Sequence, residues 1–394
     1  MDTTLQKQPA ASDRMVKTAG YYSAFLAFGL AGAVVGPTIG GLAANTHSSL
    51  SAITYFMTAS ALGYLLGSIQ GGRLYDRVAG HKLLATMLLM LGAMLALVPL
   101  IRSLWLLLLV AAVLGVTEGV TDVGGNALLV WVHGRGVGPF MNGLHFFYGL
   151  GAFISPLIVA QAIGLSGGIT WAYWVMALLV LPPALWLLHV PSPANSAADS
   201  ESGEPVAPAN NRLVALVAAL LFLFVGAEMC FGNWAYTYAV RSGMGSATIA
   251  AYFTAAFWGA LTAGRLLGVP LSARLLPQQM LLGDILGCLF GIGLILAWPQ
   301  SELIFAVGAV IFGLSIASAF ATCVNLGARY MAITGRIQGW FCVGASLGSM
   351  ALPWIVGQLF EVVGPSITLW GILVDVALAL GVLAAATRAA QARK

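Results

Sequence analysis

Long apolar runs alternate with short polar connections along almost the whole chain. Twelve runs are long enough for a helix to cross a hydrocarbon core of about 30 Å, which takes roughly 20 residues. They fall at roughly 19–43, 50–71, 82–101, 104–131, 140–164, 167–189, 213–240, 246–270, 279–298, 302–331, 337–360 and 365–387, with ends set to about 2–4 residues. One connection is unlike the others. Residues 191–212 read PSPANSAADSESGEPVAPANNR, and a segment this rich in Pro, Ser, Ala and acidic groups cannot bury a core. It is expected to be a flexible cytoplasmic linker. Six runs precede it and six follow, so the pattern predicts a six-helix bundle over 1–190 and a second over 213–394.

The two halves repeat. Gly151, Pro156, Ile158, Val159 and Gln161 recur as Gly348, Pro353, Ile355, Val356 and Gln358, each 197 residues later and thus half of the 394-residue chain. Asn142-Gly143 has a near counterpart in Gln338-Gly339, and Gly72-Arg73-Leu74 in Gly264-Arg265-Leu266. Two parallel six-helix halves bind solute at their mutual interface near the bilayer midplane.

Composition turns the pattern into a class. Hydrophobic residues make up 60% of the chain and charged ones only 8%, too few to cover a soluble fold of this size. The chain reads as an all-α polytopic membrane protein. Its net charge of +4 does not point to nucleic acid, because the bases are spread over many short connections. With the N-terminus inside, fifteen of the 17 Lys and Arg residues fall on the cytoplasmic side, Arg265 among them; only Arg102 and Arg241 fall opposite. That bias predicts cytoplasmic termini. Met1 to Ser12 has no cleavable signal pattern, so the first run is expected to stay. Cys230, Cys288, Cys323 and Cys342 lie inside runs and read as small core residues, not as a disulfide framework.

The candidate chemistry is in the few charges at membrane depth. Glu118 and Asp122 lie mid-run, with Trp105 and Trp131 each 13 positions from Glu118. A charge there costs at least about 2.5–3.5 kcal/mol, so two need a reason. Their i, i+4 spacing puts both on one helix face. Such a pair suits a proton carrier, or a cation held between the two; the structural alternative is a carboxylate neutralised by Arg or bonded to a neighbouring helix. Glu228, within GAEMCFGNW, is likewise too deep to reach water easily and reads as a site residue or an interhelical hydrogen bond. Asp375 is expected to be peripheral. Asp284, near a run's cytoplasmic end, is expected to be solvated or paired with a loop.

Amides and aromatics supply the rest of a site for a polyhydroxylated solute, whose CH face stacks while its hydroxyls pair with amides. Asn126, Asn142, Asn233, Asn325 and Gln338 are the amide candidates, and Trp234, Trp258 and Phe341 the flat faces. Helix-to-helix hydrogen bonding and interface anchoring are the competing roles. His145, one turn from both Asn142 and Tyr148, reads equally as a site residue, a proton relay or a packed core histidine. No phosphate loop, HExxH or Cys/His metal spacing is present, so nothing implies an ATP-driven motor or an enzyme, and uphill movement would draw on an ion gradient.

These strings resemble a known family. Gly72 to Lys82, GRLYDRVAGHK, resembles the signature of the major facilitator superfamily between its second and third helices, with one inserted residue and His81 as departures. Asp122-Val123-Gly124-Gly125-Asn126 is similar to the D/E-T-x-A-N element of the fucose, galactose and glucose symporters. FMNGLHFFYGLGAFISPLI (Phe140–Ile158), EMCFGNWAYTYAV (Glu228–Val240), GRLLGVPLS (Gly264–Ser272) and VGASLGSMALP (Val343–Pro353) resemble the sodium-dependent glucose transporter branch, with Ser349 where that branch carries an acid.

The resemblance implies twelve helices in two pseudo-symmetric bundles and cation-coupled symport of a hexose or related solute by alternating access. Asp122 matches the family's proton-carrying acid, with Glu118 as its expected assistant, and Glu228 matches an acid of the glucose branch. Gly72, Asp76, Arg77 and Arg265 would form a cytoplasmic gate. No cofactor is implied beyond a coupling ion, H+ or Na+, and the expected protein is a monomer in a bacterial inner membrane. Proton-coupled export of drugs, lipids or metabolites on the same fold is the alternative.

Overall fold

The computed structural model describes residues 11–193, 211–331 and 335–391. Among them every regular element is helical. In the first half these are α1 (Ala11–Ala33), α2 (Val35–Asn45), α3 (Leu50–Ile53), α4 (Tyr55–Tyr75), α5 (Gly80–Leu97), α6 (Leu104–His133), α7 (Gly138–Ser166) and α8 (Thr170–His189). The second half has α9 (Asn211–Arg241), α10 (Ala247–Ser272), α11 (Pro277–Ala297), α12 (Glu302–Ile316), α13 (Ala319–Ala328), α14 (Gly335–Val363) and α15 (Ile367–Gln391). Most of the linker expected at 191–212 lies outside the described residues.

Three expected spans are broken helices. The first crossing is α1 plus α2, bent by 50°. The bend follows from Pro37, which has no N–H to donate to the carbonyl of Ala33, where α1 ends. The second crossing, α3 plus α4, is interrupted at Thr54, and the tenth, α12 plus α13, at Ala317 and Ser318. Ten helices among the described residues are long and apolar enough to cross a membrane, and the bent pair makes an eleventh span. The 26-residue helix α10 is not among those ten and completes the twelve crossings by its place between α9 and α11. An even number of crossings puts both chain ends at one end of the bundle, called here the terminal end; the other is the distal end.

Backbone-to-backbone packing fixes the helices against one another. Hydrocarbon gives no solvophobic drive for helices to associate, so close approach at small residues substitutes for it. Helix α4 meets α6 this way: a methyl group on Gly67 would stand 2.9 Å from the Cα of Val116, and one on Gly119 would stand 2.8 Å from the amide of Ser68. The same device repeats in each half. Gly151 of α7 abuts the carbonyl of Leu26, and Gly348 of α14 abuts that of Phe222. Helices α7 and α14 are both 29 residues long, carry an internal proline, Pro156 and Pro353, and have both bounds offset by 197.

The halves touch at the distal end. The backbone N–H of Leu50 donates to Glu361 Oε1 at 3.1 Å, and Gln358 Nε2 donates to Ser51 O at 3.0 Å and Thr54 Oγ1 at 3.2 Å. At the bend of the first crossing the contact is main chain on main chain: a methyl on Gly36 would lie 2.6 Å from the carbonyl oxygen of Gly232. Trp234 packs behind that contact, its Nε1 donating to Pro353 O at 3.1 Å and its ring stacked on Phe360.

Candidate functional site: a charged cavity between the halves

A cavity of about 880 Å³ lies between the halves. Ser272, the last residue of α10, and Met280, in the first turn of α11, line it at the terminal end, where Val269 and Ser272 are exposed, whereas Phe56 and Met57, which line its distal part, are buried. The cavity therefore opens towards the terminal end.

Helix α6 supplies Glu118 and Asp122, one turn apart on the cavity wall. Glu118 is buried. Asp122 is clasped by two side chains: Tyr64 Oη donates to Oδ2 at 2.5 Å, and Asn126 Nδ2 donates to Oδ1 at 2.9 Å. Tyr64 comes from α4, and the glycine contacts between α4 and α6 set its height against Asp122. Asn126 also donates to the backbone carbonyl of Asp122 at 2.8 Å, so it orients the acid and does not line the cavity.

The second half supplies the opposite wall. Glu228 of α9 is buried and accepts from Arg265 Nη2 at 3.4 Å, an ion pair within the second half. Asn233 lines the cavity five residues on, while its Nδ2 donates to its own helix at Met229 O. Asn142 and His145 from α7 and Asn325 from α13 also face the space, with Tyr148 between the charged walls.

Several expected positions lie elsewhere. Arg265, expected at a cytoplasmic gate, is a cavity residue paired with Glu228. Gly72, Asp76 and Arg77 stay at the terminal end of α4, with Asp76 and Arg77 exposed. Trp234, Trp258 and Phe341 are buried in packing and do not line the cavity; Trp258 sits under Gly232. The side chain of Gln338 lies outside the described residues. Asp284 is not a solvated charge: both its oxygens accept from Ser318 Oγ, at 2.8 and 3.0 Å, at the break between α12 and α13. Cys342 is exposed, unlike the other three cysteines. Asp375 is buried outside the cavity, its Oδ2 without a hydrogen-bond partner among the described residues.

Tyr64, Tyr148 and Ser318 are the site residues that sequence reasoning missed. A signal for Tyr64 exists in the sequence. Gly63, Gly67 and Gly71 on α4, and Gly115 and Gly119 on α6, recur at i, i+4 and mark the faces that pack together.

Two six-helix halves enclosing a charged mid-membrane cavity open at one end define a membrane transporter of the alternating-access class. Residues 21–353 match the Major Facilitator Superfamily, and the chain belongs to it. It is 30% identical over 355 residues to the sodium-dependent glucose transporter 1 of Xenopus laevis, covering 83% of this chain and 72% of that one. It is 28% identical over 373 residues to the Homo sapiens protein of the same name, covering 86% and 72%. In fold it is similar to the nucleoside transporter NupG, with a TM-score of 0.77 at 12% identity over 95% of this chain and 99% of that one. It is likewise similar to a D-xylose-proton symporter, with a TM-score of 0.73 at 15% identity over 93% and 97%.

Proposed function

We propose that this chain is a cation-coupled symporter of a hexose or a closely related polar solute. One observation carries the reading: Asp122, held by Tyr64 and Asn126 and one turn from Glu118, faces a cavity that also presents amides from both halves. A carboxylate with a polar clasp and no basic partner is suited to take up and release a proton or a sodium ion. Asn142, Asn233 and Asn325 offer donors and acceptors to solute hydroxyls, and Phe25, Phe28 and Phe146 offer apolar faces. The names of the sodium-dependent glucose transporters and the D-xylose-proton symporter support a sugar and leave the ion as H+ or Na+.

The proposed cycle moves the halves about the filled site. Asp122, assisted by Glu118, binds the cation, and the solute binds beside it. The terminal opening is the cytoplasmic one, both termini are cytoplasmic, and Gly72, Asp76 and Arg77 belong to the gate that closes it. The protein works as a monomer of two bundles, 1–190 and 213–394, in a bacterial inner membrane. The two ligands drive the exchange only by binding its two states unequally.

The test is transport in proteoliposomes. Labelled hexoses are offered under a proton gradient alone and under a sodium gradient alone. One gradient is expected to drive accumulation of at least one sugar. Absence of gradient-driven uptake of every sugar would overturn the reading.

A further inference from the structure

We infer that the solute carries a protonated amine and that Glu118 is its counter-ion, which narrows the cargo to an amino sugar. This deepens, and rests on, the sugar-symport reading of the same cavity; Glu118 then assists Asp122 by holding the solute beside the cation.

Glu118 is the uncommitted acid of the cavity wall. Asp122 has its clasp of Tyr64 and Asn126, and Glu228 has Arg265. Glu118 lines the cavity with 7% of its surface exposed, and it has neither a hydrogen bond nor an ion pair among the described residues. A buried carboxyl group without partners is costly, and a positively charged donor relieves it best.

The balance of charge points the same way. Glu118, Asp122 and Glu228 face the cavity against Arg265, so a coupling cation at Asp122 still leaves an acid in excess. His145 packs edge-on to the ring of Phe25 and bonds to none of the three acids among the described residues. A low-dielectric site holds such an excess poorly. A neutral hexose leaves it unanswered, and an ammonium group answers it.

Helix register sets the seat. A methyl on Gly125 would stand 2.9 Å from Phe25 Cδ2, which fixes α1 against α6. The two helices run antiparallel, so Gly32, two turns on in α1, comes level with Glu118, two turns back in α6. A methyl on Gly32 would stand 3.0 Å from Tyr148 Oη, so that hydroxyl is at the same level. Helical side chains lean towards the N-terminus of their helix, which carries Glu118 towards the turn of Gly115. There the carbonyl of Ser60 on α4 abuts Gly115. Gly32, Ser60 and Tyr148 all line the cavity, as does Phe28, one turn before Gly32. The missing side chain at Gly32 leaves room for a sugar ring. Its hydroxyls meet Ser60 and Tyr148, its CH face meets Phe28, and its ammonium meets Glu118.

The test is solute binding by the full chain in detergent, read as the solute-dependent rise in melting temperature. Sodium is present at about pH 6.5, where amines of this kind are protonated and both candidate coupling ions are supplied. Glucosamine, galactosamine and mannosamine are titrated beside glucose, galactose and mannose. The tightest-bound probe is expected to be an amino sugar, half-saturating roughly tenfold below its parent hexose, the scale of one hydrogen bond to a charged group. Glu118→Gln should bind the two alike. If that variant does not fold, the wild-type comparison decides alone. Amino sugars that bind no tighter than their parent hexoses overturn the inference. An advantage that survives Glu118→Gln overturns Glu118 as the counter-ion. A wild type stabilised by no sugar of either kind would instead overturn the sugar reading itself.

Discussion

The hydroxyl of Tyr64 on α4 donates to Asp122 Oδ2 on α6 at 2.5 Å, joining two helices whose backbones already touch. The acid that faces the cavity is thus held by a neighbour that cannot move away from it without parting the two helices. Tyr64→Phe keeps the ring and removes the donor. A hydrogen bond to a charged group contributes about 1.5–3 kcal/mol, so the cation that competes for that oxygen should be held roughly tenfold or more tighter. Net uptake is expected to slow at cation release while solute exchange persists. Equal loss of both, measured in the same vesicles, would contradict this role for Tyr64.

Asp122→Asn removes the charge and keeps the shape. Gradient-driven accumulation should disappear, while exchange of labelled for unlabelled solute continues. A variant that still concentrates solute like the wild type would move the coupling site elsewhere.

The distal contacts predict a shift in which end is open. Gln358→Leu loses the bonds to Ser51 and Thr54, each a net contribution of about 0.5–1.5 kcal/mol. The ratio of distal-open to distal-closed molecules should rise roughly fivefold or more. Gly36→Leu should act more strongly, because its side chain would have to occupy the space of the Gly232 carbonyl. Labelling of Ser272→Cys by an impermeant maleimide from the terminal side checks both; the rate should fall in each.

Trp234→Phe separates packing from binding. The indole donates to Pro353 O and is fully buried, so its loss should lower the melting temperature by about one to two degrees for roughly 1 kcal/mol. Solute half-saturation should not change. A marked change in half-saturation with an unchanged melting temperature would return Trp234 to the cavity.

Ser318→Ala tests the break in the tenth crossing. Its hydroxyl is the one hydrogen-bond donor to Asp284 among the described residues. Removing it leaves a partly buried carboxyl group without that donor, at a cost of about 1–3 kcal/mol. Thermal unfolding should report that loss, and Ser318→Thr, which restores a hydroxyl, should recover most of it.

The crossings and the repeat were legible because a bilayer imposes length and apolarity on every run. The offset of 197 survived as matched helix bounds in α7 and α14. The breaks were not, because Thr54 and Ser318 are ordinary residues inside apolar runs. Glu118, Asp122 and Glu228 stood out as charges where charge is costly, and all three line the cavity. Trp234 misled by adjacency. Val225, Glu228, Met229 and Asn233 follow the helical period along one wall, and Trp234, next to Asn233 in sequence, points off that face. Arg265 misled for a related reason: inside the expected run 246–270 it was counted with the cytoplasmic-side charges, although α10 holds it on the cavity wall seven residues before its end at Ser272.

The meeting of Gly36 with Gly232 has a consequence for permeability. At that point main chain meets main chain, and the side chains of Gln358 and Glu361 join the halves beside it, so the closure is made apart from the amides that face the solute. Substitutions at Asn142 or Asn325 can therefore alter the cargo without opening a leak. Selectivity and tightness become separate properties of the molecule, one held in the cavity wall and the other in the distal contacts beyond it.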